Sequence, residues 1–184
     1  MVNIGDIDLK SGQLVVGDPS IGKQLPYAEL VTPGTYPVQL AIAQTANRYF
    51  NAFIKIQFTN HDIEYWKLAL RPGQSLSKLD ATQFYGVVVN TEKLILMDLA
   101  EYKQLQSKAA LTKELLERID KKFNLITGYS TVEFNFADPV KNAYIIVVSP
   151  GTGNGIYAAY VAYDDQNKPV SFLLDFYIVP WANP

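Results

Sequence analysis

The sequence predicts an α+β fold made mainly of antiparallel strands, in a sandwich or a strongly curved sheet, with one long amphipathic helix over 98–123 packed against it. Three observations carry that expectation. Apolar residues recur at every second position in one segment after another. Aromatic residues make up 12% of the chain, 12 Tyr and 9 Phe among them, and such rings suit half-buried pleated surfaces. Only one stretch has a helical period. With 184 residues, 48% of them hydrophobic, the chain can bury a core without disulfides or metals, and a single domain spanning 1–184 is expected.

The first strands are expected at 13–17, 36–43 and 49–58, where Val38, Leu40, Ile42 and Phe50, Ala52, Ile54, Ile56, Phe58 alternate most clearly. Between the first two runs GDPSIGKQLPYAELVTPG, whose Pro33-Gly34 turn releases the chain into the next strand; long connections of this kind often carry function. Segment 64–70 fits a strand or a short helix and is read as a strand, stopped by Arg71-Pro72-Gly73. Segments 85–89 and 94–97 flank Asn90-Thr91-Glu92-Lys93 and read as a hairpin with a four-residue loop.

Asp98 can cap the free amides of the helix, and Glu101 completes a capping-box pattern. Tyr102, Leu105, Ala109, Leu116, Ile119 and Phe123 give one apolar stripe. Lys103, Lys108, Lys113, Glu114, Glu117 and Lys121 fill the other face, read as solvated, and Lys121-Lys122 complements the macrodipole. After Gly128 the strand pattern returns at 131–136, 143–149, 156–163 and 170–179, the last two forming a hairpin, and the chain closes after Pro180-Trp181.

Composition removes several chemistries. Cysteine is absent and histidine occurs only at His61, which excludes thiolate nucleophiles, redox pairs and nearly every zinc or iron site built from N and S ligands. No catalytic residue, metal or cofactor is assigned. Sixteen Lys and Arg against 18 Asp and Glu give a net charge of −2 with no long run of either sign, so nucleic acid is not an expected partner. The longest apolar runs fall far short of the roughly 20 residues a membrane helix needs. The opening MVNIGDIDLKSG lacks the basic-then-apolar pattern of a signal peptide. A cytoplasmic protein without a membrane partner is therefore expected.

The loop Pro150-Gly151-Thr152-Gly153-Asn154-Gly155 invites comparison with anion cradles, but a Walker loop needs Gly-Lys-Ser/Thr and a following helix, whereas Ile156-Tyr157 opens a strand. Its glycines are read as serving tight turns, with ligand contact as the alternative. Asp164-Asp165-Gln166-Asn167-Lys168 gathers oxygen ligands yet lacks the spacing of a calcium loop and is read as a β-turn. Asp175, set between Leu174 and Phe176, either faces solvent or is buried with a partner. His61-Asp62 is read as a surface loop, and Asp18, Asp80, Asp98 and Asp138 stand alone in sequence.

Taken in order, Gly17-Asp18-Pro19, Val31-Thr32-Pro33-Gly34-Thr35-Tyr36-Pro37-Val38, Trp66-Lys67-Leu68-Ala69-Leu70, Met97-Asp98, the 149–155 turn, Tyr157 and Asp175-Phe176 span most of the chain. They resemble the bacterial domain-of-unknown-function family 4241. The resemblance implies a largely β fold and supplies no mechanism. It also implies an Asp-Ala-Gly near 86–89 and a Gly-Asp-Gly late turn, where this chain has Val88 and Asn154. A binding role survives the loss of two carboxylates more easily than catalysis does.

The expected function is accordingly a non-catalytic protein-binding module, such as an immunity or antitoxin-like partner of a toxin. The alternative is a ligand- or divalent-metal-binding protein, or a hydrolase, whose pocket collects Asp18, Asp98, Asn154, Tyr157 and Asp175. A further alternative is a structural or assembly protein with Trp181 in a dimer interface. The oligomeric state is left open.

Overall fold

The computed structural model describes residues 1–135 and 142–180. Trp181, Asp138 and the last residue of the strand expected at 131–136 lie outside them.

Two antiparallel sheets face each other and a pair of helices covers the back of the second. The first sheet orders β1 (Val2–Leu9), β3 (Gly34–Thr45), β4 (Arg48–Gln57), β11 (Pro169–Asp175), β10 (Gly155–Tyr163) and β5 (Tyr65–Leu68), with β6 (Gly86–Val89) sharing β10's outer edge beside β5. The second orders β2 (Leu14–Gly17), β7 (Leu94–Asp98), β9 (Asn142–Val148) and β8 (Tyr129–Asn135). A short 3-10 turn, Leu76–Lys78, lies between β5 and β6.

The two-residue period explains which side chains meet. Val38 and Leu40, Ile54 and Ile56, Ala159 and Val161, Phe172 and Leu174 point inward from the first sheet onto Val16, Leu94, Leu96, Ile146 and Val148 of the second. The continuous apolar runs of β7 and β9 have a different cause, since both of their faces are buried. Ile95, Met97, Ile145 and Val147 point the other way, into a second core under the helices with Tyr102, Leu105, Leu115 and Ile119.

Three expectations need correction. The long helix over 98–123 is two helices, α1 (Leu99–Ser107) and α2 (Ala109–Lys122), separated at Lys108, which is extended (φ −141°, ψ 108°). The buried residues after Leu105 are Leu115 and Ile119, rather than a stripe through exposed Ala109 and half-buried Leu116. Ten residues separate Leu105 from Leu115, which at 3.6 residues per turn leaves them about 80° out of phase. A break at Lys108 lets the second helix turn its own stripe onto the sheet. Ser107 and Thr112 then donate hydroxyl hydrogen bonds to the carbonyls of Gln104 and Leu105 at the junction.

The segments at 85–89 and 94–97 do not pair as a hairpin. β6 pairs with β10 in one sheet and β7 with β2 and β9 in the other, so residues 90–93 cross between layers. Finally, β1 has no counterpart among the expected strands. Its buried residues Ile4, Ile7 and Leu9 lose the two-residue period because a bulge between Asn3 and Gly5, where Gly5 has φ +130°, inserts one residue.

The ambiguous 64–70 segment is a strand over Tyr65–Leu68, and β10 and β11 form the expected hairpin. Among the described residues no helix is long and apolar enough to cross a membrane.

Candidate functional site

Asp18 and Asn154 meet at the 90–93 turn. Asp18 follows β2 and is buried; its Oδ2 accepts from the amides of Asn90 (2.7 Å) and Thr91 (2.8 Å) and from the Thr91 hydroxyl (2.9 Å). Its Oδ1 accepts from the amide (2.7 Å) and hydroxyl (2.6 Å) of Ser20. Burial pushes this carboxyl up, but those hydrogen bonds outweigh it and hold the pKa below the ordinary value. Asn154 Oδ1 accepts from the Glu92 amide at 2.8 Å, so two side chains far apart in sequence satisfy three consecutive amides of the turn. Tyr157 points into the core from β10, and its hydroxyl joins Thr152 Oγ1 (2.7 Å) and donates to the Gly153 carbonyl (2.7 Å), tightening the adjoining loop.

Asp98 and Asp175 lie elsewhere. In the β2·β7 ladder Leu14 faces Asp98 and Gly17 faces Ile95, which puts Asp98 at the far end from Asp18. Asp98 caps α1 through the Ala100 amide (2.7 Å) and accepts from the Ser11 amide (2.8 Å) and hydroxyl (2.6 Å). The second half of the expected capping box is not made, because Glu101 accepts from Lys10 Nζ at 2.9 Å instead. Asp175 is buried and alternates with Phe172, Leu174 and Phe176, so it sits on the sheet face opposite to Tyr157. It accepts from the Tyr177 amide at 2.9 Å, and burial, together with this carboxylate, pushes the Tyr177 phenol up to about 12.

The glycine loop is a packing device. A Cβ at Gly151 would lie 2.3 Å from the Asn51 carbonyl oxygen, and Gly153 has φ +81°. Asp164 holds the β10–β11 turn by accepting from the Gln166 (2.9 Å) and Lys168 (2.8 Å) amides, while its other oxygen meets His61 Nδ1 at 2.8 Å. Those contacts, the His61 one foremost, lower its pKa.

A different feature stands out at one end of the sandwich. An open cleft of about 650 Å³ is walled by the β3–β4 hairpin, the 90–93 turn, the α2–β8 connection and the loop after β9. Half-buried Phe50, Phe123 and Tyr129 line it, and Ile42, Tyr49, Leu125 and Ile126 stand exposed at its edge. Its floor is stitched by Asn51 Nδ2, which donates to the carbonyls of Gly128 and Ser149 at 3.1 Å each. A Cβ at Gly128 would come within 2.6 Å of that nitrogen. Asn124 Oδ1 accepts from the amides of Ile126 (2.9 Å) and Thr127 (3.2 Å), so the turn carrying Leu125 and Ile126 is held by the side chain of its own first residue.

Residues 7–174 match the model of a family described as protein of unknown function (DUF4241). The chain belongs to the DUF4241 family. No curated protein and no solved structure matches it. The match to DUF4241 takes in the turn held by Asp18 and Asn154, the helices and nearly all of the cleft, and ends one residue before Asp175. Of the two positions where this DUF4241 chain departs from the expected acids, Val88 lies exposed on β6 and Asn154 still serves as an acceptor. Of the cleft residues, Tyr49, Leu125 and Ile126 were not singled out by sequence, and Ile42 was read only as part of a strand. The available signal was a pair of large aliphatic residues inside a turn, after Asn124 and before Thr127-Gly128, where polar residues are the rule.

Proposed function

We propose that this DUF4241 protein is a non-catalytic protein-binding module, an immunity or antitoxin-like partner, that receives another protein in the cleft between the β3–β4 hairpin and the α2–β8 turn. The observation that carries the reading is the exposure of Leu125 and Ile126, 86% and 97%, on a turn whose backbone is already satisfied. Covering a side chain of this kind is worth about 1.5–3 kcal/mol, and binding energy concentrates where packed pockets are fully desolvated. Small size and mild acidity support the immunity or antitoxin-like class. An Asp-lined metal pocket is disfavoured by the bonds around Asp18 and Asp98. A cation there would have to displace backbone and hydroxyl donors that already occupy the carboxylate oxygens.

Affinity capture with the wild-type protein and with a Leu125→Asp/Ile126→Asp variant, followed by calorimetry on purified components, tests this. A partner bound stoichiometrically by the wild type, with affinity reduced by about 100-fold or more in the variant, is the expected result. A partner that binds both equally removes the cleft from the account. A self-associating wild type made monomeric by the substitutions replaces protein binding with assembly.

A further inference from the structure

We infer that the segment received by the cleft is acidic and carries one large apolar side chain as its anchor. This deepens the protein-binding reading and rests on it. The chain as a whole has a net charge of −2, and Glu92 and Lys93 line the cleft, while three further cations, Arg48, Lys121 and Lys122, adjoin its lining residues in sequence, with Glu117 and Asp120 as the carboxylates near the last two. Lys93 is committed, with its Nζ 2.7 Å from Asp120 and over the Phe123 ring. The other three are exposed and form no ion pair among the described residues. Arg48 immediately precedes Tyr49 on one wall, and Lys121-Lys122 lead into Phe123 on another. A segment lying across the opening therefore passes uncompensated positive charge on two of the elements that frame it.

The floor sets the other half of the chemistry. The Asn51 amide group is spent on Gly128 and Ser149, and the Gly128 carbonyl also accepts from the Ser149 amide at 2.7 Å. The rings of Phe50, Phe123 and Tyr129 supply apolar lining beside it. A polar side chain entering there would lose water and find few partners, whereas an aliphatic or aromatic one loses nothing. Concavity also favours an inserted protein side chain over a bilayer, which meets protruding loops and leaves a hollow empty.

Selection from a random-peptide display library against the wild type, the Leu125→Asp/Ile126→Asp variant and an Arg48→Glu/Lys121→Glu/Lys122→Glu variant tests the inference. All substituted side chains are exposed, and circular dichroism confirms that the variants fold. The wild type is expected to enrich Leu, Phe or Trp flanked by Asp and Glu. The best such peptide, made synthetically, should weaken by about tenfold or more on charge reversal, and comparably as salt rises through the range that screens exposed charges. Enriched peptides without acids, bound equally well by the charge-reversed variant, overturn the acidic chemistry and leave the protein-binding reading standing. Peptides enriched equally by the wild type and the Leu125→Asp/Ile126→Asp variant overturn both. Co-sedimentation of the wild type with phosphatidylserine vesicles, lost on charge reversal and without peptide enrichment, replaces the acidic segment with a lipid surface.

Discussion

Two turns face each other across the cleft and are built on opposite plans. The 90–93 turn draws its support from afar: Asp18 and Asn154 reach in to satisfy three consecutive amides, and Glu92 adopts a positive φ of 56° within that cage. The 124–127 turn supports itself through Asn124, one residue away from the side chains it presents. In the first, polar groups are consumed by folding. In the second, apolar groups are left over after folding is complete. A carboxylate in a glycine-rich loop thus marks architecture in this molecule, while the exposed aliphatic pair is the feature on which the proposed binding role rests.

The largest effect that can break this contrast is at Asp18. Replacing it with Ala strands the amides of Ser20, Asn90 and Thr91 in a buried site, and the loss should be about 3 kcal/mol or more, read by chemical denaturation. A loss below about 1 kcal/mol would mean that water replaces the carboxylate and that the turn is not caged as described. The same group predicts acid sensitivity. Its pKa is lowered in the folded protein, so its stabilisation is complete above the unfolded value near 3.8 and disappears as pH falls through the lower folded value. The gap in melting temperature between wild type and Asp18→Asn should therefore shrink as the pH is taken below about 4.

How much of this was legible follows the same division. Alternation reveals a strand only when one face is buried and the register is unbroken, which holds for Val38 with Leu40 and for Ile54 with Ile56 but not for Ile42, exposed beyond a register shift at Ala41. It fails at Ile4 and Ile7, where a bulge shifts the phase. Helical spacing connected Leu105 to Leu116, one residue from the Leu115 that is buried, and the break at Lys108 contains neither glycine nor proline to announce it. Asp18, Asp98 and Asp175 were visible as isolated carboxylates, but the donors that occupy them come from Asn90, Ser11 and Tyr177, and for the first two only tertiary structure brings those near. Leu125 and Ile126 were hidden for a different reason. Apolar residues next to a helix end read as core until the structure shows nothing covering them.

Smaller effects sharpen the picture on the caged side. Tyr157→Phe removes a hydroxyl that holds Thr152 and the Gly153 carbonyl, and should reduce stability by about 1 kcal/mol, with partner affinity unchanged, since the ring itself remains packed on Phe176. Asn154→Ala should fall in the same range because the Glu92 amide loses its acceptor. Asn154→Asp keeps an acceptor in place and, despite the nearby Glu92 carboxylate, should stay within about 0.5 kcal/mol of wild type at neutral pH. A large loss for Asp with little for Ala would show that the position resists negative charge rather than holding the turn.

The smallest stability effect is expected where the functional effect is largest. Leu125→Asp/Ile126→Asp places two carboxylates on side chains that are 86% and 97% exposed and removes no contact from either core. Surface substitutions of this kind move stability by about 0.5 kcal/mol or less. Lys121 and Lys122, close in sequence, bring favourable charge to the new carboxylates. A denaturation midpoint lowered well beyond that range would mean that the aliphatic pair packs against the body of the protein in solution. The 124–127 turn would then belong with the caged turn opposite, and the distinction between residues that fold the protein and residues that face its partner would have to be drawn elsewhere. An unchanged or raised midpoint together with lost binding separates the two roles residue by residue, which neither measurement does alone.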